Sequence, residues 1–189
     1  MRRGCERSLH HYSPDGGVPM TTLRQGVDVL MECVPLTSRW ASERWQPAAV
    51  VLDTAPSPKP GPTRESGEGG REQWRFGGLE IELHRSEAEG YFLNMTAPDP
   101  RVFVMWRMSE EGVSPPAHPV IVTVSYNEAA RFMDGGEQVD GVPMIPALAH
   151  WVRAFVADNY KPEPRRKAVR NDPLAANRAA DGDPGRRRR

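Results

Sequence analysis

A chain of 189 residues with 38% apolar content has material for one domain with a core, while 19 prolines and 17 glycines indicate that the core does not run the whole length. The formal charge of zero hides an acidic body and a basic end: from Tyr160 onward ten Lys/Arg stand against four Asp/Glu, a net of +6 that leaves −6 for residues 1–159. Two distant cysteines, Cys5 and Cys33, exclude a disulfide framework and a cysteine metal motif and fit a reducing cytoplasm, and no apolar run approaches the roughly 18 residues of a membrane helix.

Residues 1–24 carry turn-forming residues without periodicity and read as a disordered leader. Arg2-Arg3 is not followed by the apolar stretch of an export signal. Met20 and Met31 each offer an alternative start. The domain is expected over residues 25–160. "VDVLMECVP" and "WQPAAVVL" read as its first two strands. Between Leu52 and Arg71, "DTAPSPKPGPTRESGEGG" (53–70) has too little apolar surface to offset its ordering entropy and reads as a flexible loop. "QWRF" is the next predicted strand, Gly77-Gly78 a tight turn, and "LEIEL" a strand with Leu79, Ile81 and Leu83 inward and Glu80 and Glu82 outward. "YFLNM", "RVFVMWRM" and "PVIVTVSY" follow as strands, the last placed centrally by its β-branched density.

Helices close the domain. Ser125 with Glu128 three residues later forms a capping box that opens a helix over Tyr126–Asp134, which Gly135 ends. A second helix begins at Pro146, sets Leu148, Trp151, Val152, Phe155 and Val156 on one face, and stops near Tyr160. Short connections require antiparallel pairing. The expected fold is therefore a single α+β domain: a mainly antiparallel curved sheet or partly closed roll of about seven strands, followed by two C-terminal helices, the last covering its apolar face. Residues 161–189 read as a disordered basic tail.

Four places invite chemistry. In "LHRSEAEGYFLN" His84 and Glu87 are spaced to meet on one helical turn, but a metal needs further ligands and His10, His11, His118 and His150 have no matching spacing. Ser86, Glu89 and Gly90 supply caps for that turn, so the stretch reads first as a strand connector and only second as a site. In "SRWASERW" the pairs Arg39-Trp40 and Arg44-Trp45 lie five residues apart, so the two tryptophans cannot share one face of a fully extended strand; both read first as core, and one left at the surface beside its arginine as a partner anchor reads second. The acidic residues Glu128, Asp134, Glu137 and Asp140 read as a cap and a solvated loop rather than an acid–base pair. Arg165, Arg166 and Lys167 in the tail form a second candidate partner surface. Phosphate-binding glycine loops, zinc-protease and nucleophile-elbow motifs are missing from the sequence, and no cofactor is implied. No aromatics interleave the basic residues, which leaves nucleic-acid binding through the tail a weak option.

"RWASERWQPAAVV", "GGLEIELHRSEAEGYFLNMTAPDPRVFVMWR" and "VTVSYNEAARFMDGGEQVDGVPMIPALAHWVRAFVADNYKPEPRRK" together resemble an uncharacterised bacterial family known only as a domain of unknown function, over about residues 27–167. The distinctive set is Glu87, Gly90, Tyr91 and Asn94, then Ser125, Tyr126, Glu128 and Ala129, then Trp151, Phe155, Tyr160, Pro162 and Glu163. The resemblance implies a gene beside those of molybdenum-dependent formate dehydrogenases and their accessory factors, and hence a protein partner: a formate dehydrogenase subunit or a maturation factor. Some members carry the label of a molybdopterin-guanine dinucleotide biosynthesis protein, which implies a nucleotidyltransferase. That activity calls for a glycine-rich loop after the first strand of a parallel fold, and here the first strand leads into "CVPLTSRW". The expectation is a non-catalytic accessory protein of the cytoplasm, with the nucleotidyltransferase as the alternative.

Overall fold

The computed structural model describes residues 22–53, 61–66 and 71–162. Strands β1 (Leu23–Pro35), β2 (Glu43–Leu52), β3 (Gly61–Ser66) and β4 (Glu72–Leu83) form one sheet in the order β2-β1-β4-β3. Strands β5 (Arg101–Met108), β6 (Ala117–Thr123) and β7 (Gln138–Pro143) form a second, in the order β6-β5-β7. Helix α1 (Ala88–Thr96), entered through a 3-10 turn at Arg85–Glu87, links the sheets; α2 (Tyr126–Asp134) and α3 (Pro146–Asn159) lie towards the C-terminus. Every strand pair is antiparallel. This is the expected single α+β domain, with its seven described strands divided between two open sheets instead of one rolled one.

The sheets meet along their margins, β2 beside β7 and β4 beside β6. Alternation builds the core on β1: Val27, Val29 and Met31 are fully buried. Ile81 and Leu83 of β4 and Val102 and Val104 of β5 join them, and α3 adds Leu148, Val152, Phe155 and Val156 to the same cluster. α3 packs chiefly against α1, with the Phe155 ring edge-on to Tyr91 at 5.8 Å and Tyr160 against Phe92 at 4.9 Å. The predicted apolar face of α3 is the buried face. Each such side chain contributes about 1.5–3 kcal/mol through burial. Among the described residues no helix is long and apolar enough to cross a membrane.

Several local expectations are corrected. β1 starts at Leu23, so the expected leader overlaps it, and residues 1–21 lie outside the described residues. Within the expected loop 53–70, residues 61–66 are strand β3, while 54–60 and 67–70 lie outside the described residues. β3 is polar; what holds it is its ladder to β4 and the Arg75 guanidinium, which bonds Glu65 of β3 at 2.5 Å and Asp28 of β1 at 3.3 Å. Gly77-Gly78 is a bulge inside the continuous strand β4, not a turn: Val27 pairs with Leu79 and Val29 with Phe76, so both glycines oppose Asp28, and Gly78 takes φ of 81°. "YFLNM" belongs to α1. β6 is an edge strand, because β5 takes the centre. β7 occupies what read as a loop. Ser125 does cap α2 by accepting the Glu128 N–H, but the left-handed residue beyond the helix is Gly136 at φ of 82°, with Gly135 still at −75°.

Candidate functional site

The corner that follows β4 is built from buried polar contacts. His84 is extended, and its backbone N–H donates to the Tyr91 hydroxyl at 3.0 Å. That hydroxyl donates onward to the Glu82 carbonyl at 3.3 Å. Tyr91 is buried in the core, and burial pushes its pKa from 10.0 up to about 12. The 3-10 turn then points Glu87 away from His84. One Glu87 oxygen accepts the Ser125 hydroxyl at 2.9 Å and the other accepts Arg131 at 2.8 Å. The His84 imidazole instead meets Glu82, with Nε2 at 3.2 Å from the carboxylate. His84 and Glu87 are thus neighbours in sequence that serve different partners.

Ser125 is fully buried with its proton committed to Glu87 while its oxygen caps α2. Such a hydroxyl holds two helices and has no approach for a substrate. Thr123 repeats the theme: its hydroxyl donates to the Glu128 carboxylate at 2.5 Å and accepts the Ser125 N–H at 3.0 Å. Gly90 of α1 passes directly over this knot, and a Cβ there would stand 2.2 Å from Ser125 Oγ. Asn94, one turn on, gives its amide protons to the carbonyls of Arg101 at 2.7 Å and Val124 at 2.9 Å, and its oxygen accepts the Arg101 N–H at 2.9 Å. Glu87, Gly90, Tyr91, Asn94, Ser125 and Glu128, singled out in sequence as one set, therefore converge in space as a brace between α1, α2 and the two sheets. Tyr126 is on the outside of it, half exposed, edge-on to Phe103 at 6.1 Å.

An open groove of about 380 Å³ is lined by Gly78, Leu79, Glu80 and Glu82 of β4, by His84 just beyond it, by Val120–Val122 of β6 and by Glu128 of α2. Its polar lining is Glu80, Glu82, Glu128 and His84. Arg24 from β1 reaches Glu82 at 3.0 Å and Glu80 at 3.6 Å. Solvated carboxylates on a strand face suit recognition of cationic groups. Among the described residues no group of three or more His, Cys, Asp or Glu is arranged to hold a metal ion.

The β1–β2 hairpin separates the two tryptophans, which corrects the first reading of both as core residues. Trp45 is in the core, 5% exposed, and Trp40 at the tip is 94% exposed. The loop is closed by Leu36 N–H to the Ser42 carbonyl at 2.9 Å and ordered by Trp40 N–H to Ser38 Oγ at 3.1 Å. Arg39 is exposed beside Trp40. Arg44 leans towards Asp140 of β7 at 3.7 Å, and Asp140 also accepts the Trp106 indole N–H at 2.8 Å. Asp140 is thereby a link between sheets, which no local sequence signal marked. Glu137 pairs with Arg107, whose guanidinium holds it below the ordinary carboxylate range. Cys33, near the hairpin base, is a free thiol that donates to Glu43 at 3.4 Å; burial and that carboxylate raise its pKa from 9.0 to about 11. Ser109 and His118 Nδ1 meet at 3.0 Å across the β5–β6 connection, a contact the sequence spacing did not suggest. Arg165, Arg166 and Lys167 lie outside the described residues.

No curated protein and no solved structure matches the chain. Residues 26–169 match the model of a family described as "Protein of unknown function (DUF3305)". That span takes in both sheets apart from the first three residues of β1, together with the brace, the groove and the exposed hairpin, and the chain belongs to this family.

Proposed function

We propose that the protein is a non-catalytic accessory factor of the cytoplasm that docks on a partner through the tip of its β1–β2 hairpin. The observation that carries this reading is Trp40, 94% exposed on a short, internally bonded loop. An indole left in water offers a large apolar surface to an interface at low ordering cost, and tryptophan and arginine dominate interface hot spots. Arg39 beside it and the half-exposed Arg44 behind it give the same tip a cationic rim. The ionisable residues of the nearby corner support an accessory role over catalysis, because Glu87, Ser125 and Tyr91 are spent on fastening the backbone. The sequence resemblance supplies the partner proposed here, a molybdenum-dependent formate dehydrogenase subunit or one of its maturation factors.

Affinity purification from the native host, with and without formate dehydrogenase expressed, tests this directly. The wild-type chain should retain a formate dehydrogenase subunit or maturation factor. Trp40→Ala should weaken that retention by about 30-fold or more, the effect of a hot spot of about 2 kcal/mol, with an unchanged melting temperature. Recovery of background proteins alone, or equal recovery by Trp40→Ala, would overturn the reading. So would a thermal shift with GTP and magnesium, which a nucleotidyltransferase would give.

A further inference from the structure

Helix α1 fixes which ends of the two sheets lie together. It follows β4 through the 3-10 turn, and its Asn94 bonds the carbonyls of Arg101, at the start of β5, and Val124, just past β6. The opposite end of the domain gathers the β1–β2 hairpin and the β5–β6 connection. Asp140 of β7 ties the two: it meets Arg44, which follows the hairpin tip, and Trp106, which stands near the end of β5. Met108 continues the inward series Val102, Val104 and Trp106 but lies beyond the core, and it and Val113 of the connection are each 54% exposed. The connection is held by its own bonds: Ser109 N–H to the Pro116 carbonyl at 2.5 Å, Ser109 Oγ to His118 Nδ1 at 3.0 Å, and Val113 N–H to the Glu110 carbonyl at 3.4 Å. The hairpin tip is closed likewise, so neither loop has much freedom to lose on docking.

The charges of this end divide between the two loops. Arg44 and Arg107 are matched inside the chain, by Asp140 and Glu137. Arg39 on the hairpin, and Glu110 and Glu111 on the connection, are exposed and have no ionic partner among the described residues. An unmatched cation and an exposed indole thus stand on one loop, and unmatched carboxylates with two exposed apolar side chains on the other. A surface that carries both halves of a complementary pair matches itself under a two-fold rotation. We propose that this end is the contact of a symmetric homodimer, in which Trp40 of each copy packs on Met108 and Val113 of the other and Arg39 faces Glu110 and Glu111. Tryptophan, methionine and arginine are residues that interfaces favour. This goes beyond the docking role of Trp40 proposed above. Because one indole serves both contacts, a partner that takes Trp40 releases the second copy.

Sedimentation equilibrium of the purified full chain tests this. The wild type should populate a dimer increasingly as its concentration rises to the order of 100 µM, the range of a small interface. Arg39→Glu and Glu110→Arg/Glu111→Arg should each weaken dimerisation about tenfold, because attraction becomes repulsion and each contact occurs twice. The variant that combines all three changes should dimerise again, close to wild type, and that restoration separates a lost contact from a lost fold. Trp40→Ala should leave a monomer, and Glu89→Arg, on the exposed side of α1 at the far end, should change nothing. A wild type that stays monomeric throughout, or a combined variant no better than either parent, would overturn the proposal. So would loss of the dimer in Glu89→Arg, by assigning the effect to net charge. The purified chain alone is measured, so a monomer leaves the formate dehydrogenase reading standing, and a dimer that retains no such partner leaves this one standing.

Discussion

Ser125 and Glu87, 38 residues apart in the chain, share a hydrogen bond of 2.9 Å, and Gly90 leaves room for it. A glycine in a helix costs up to about 1 kcal/mol relative to alanine, so Gly90→Ala in the first turn of α1 would ordinarily be favourable. Here the added Cβ meets Ser125 Oγ at 2.2 Å, and either α1 must shift or the Ser125–Glu87 bond must break. We predict a net loss of about 1–3 kcal/mol in chemical denaturation. A variant as stable as wild type would show that α1 and α2 are not held this closely.

Gly78 tests the bulge in β4. Its φ of 81° is a conformation that a side chain resists by about 1–2 kcal/mol. Gly78→Ala should lower stability by that amount, whereas Gly→Ala at a turn with negative φ would be neutral or favourable. The denaturant midpoint measures it.

Tyr91 makes stability depend on alkaline pH. In the unfolded chain its phenol ionises near 10.0, and in the fold burial keeps the proton to about 12. Across that window unfolding releases a proton, so stability present below pH 10.0 is lost as the pH rises towards about 12. Tyr91→Phe should remove much of this slope while costing about 1 kcal/mol at neutral pH, because the His84 N–H loses its acceptor. Equal slopes for the two proteins between those pH values would place the ionisation elsewhere.

Cys33 should be a slow thiol. With its pKa raised from 9.0 to about 11, the thiolate fraction at pH 8 falls roughly a hundredfold below that of an ordinary cysteine. Iodoacetamide should label the folded chain at Cys33 far more slowly than the chain unfolded in urea. Glu43→Gln, which removes the carboxylate that receives the thiol proton, should speed the folded reaction.

What could be read from the sequence was what rests on apolar periodicity. β1, β2 and β5 alternate, α3 has its stripe, and the Ser125 box needs only local chemistry. α1 escaped because its buried face consists of Ala88, Gly90, Tyr91 and Asn94, which is not an apolar stripe; its position depends on distant carbonyls and on Ser125. β3 and β7 escaped for the related reason that short polar strands owe their form to the neighbour they pair with. Among the site residues, the division of labour between Trp40 and Trp45 is only the second reading of the sequence, because it depends on the chain leaving β1 at Pro35 and entering β2 at Glu43, which sets Trp40 on the loop. The parting of His84 from Glu87 was not legible either, because it depends on the direction in which a 3-10 turn releases Glu87 towards α2.

Asn94 joins the backbone of the first residue of β5 and the carbonyl of Val124 to α1 with one side chain. Three stretches of chain that are separate in sequence therefore have a common fate in any partial opening: none can leave the native state without orphaning a buried amide. Hydrogen exchange should show them as a single cooperative unit, with α1, the start of β5 and the β6–α2 junction losing protection together rather than fraying in turn.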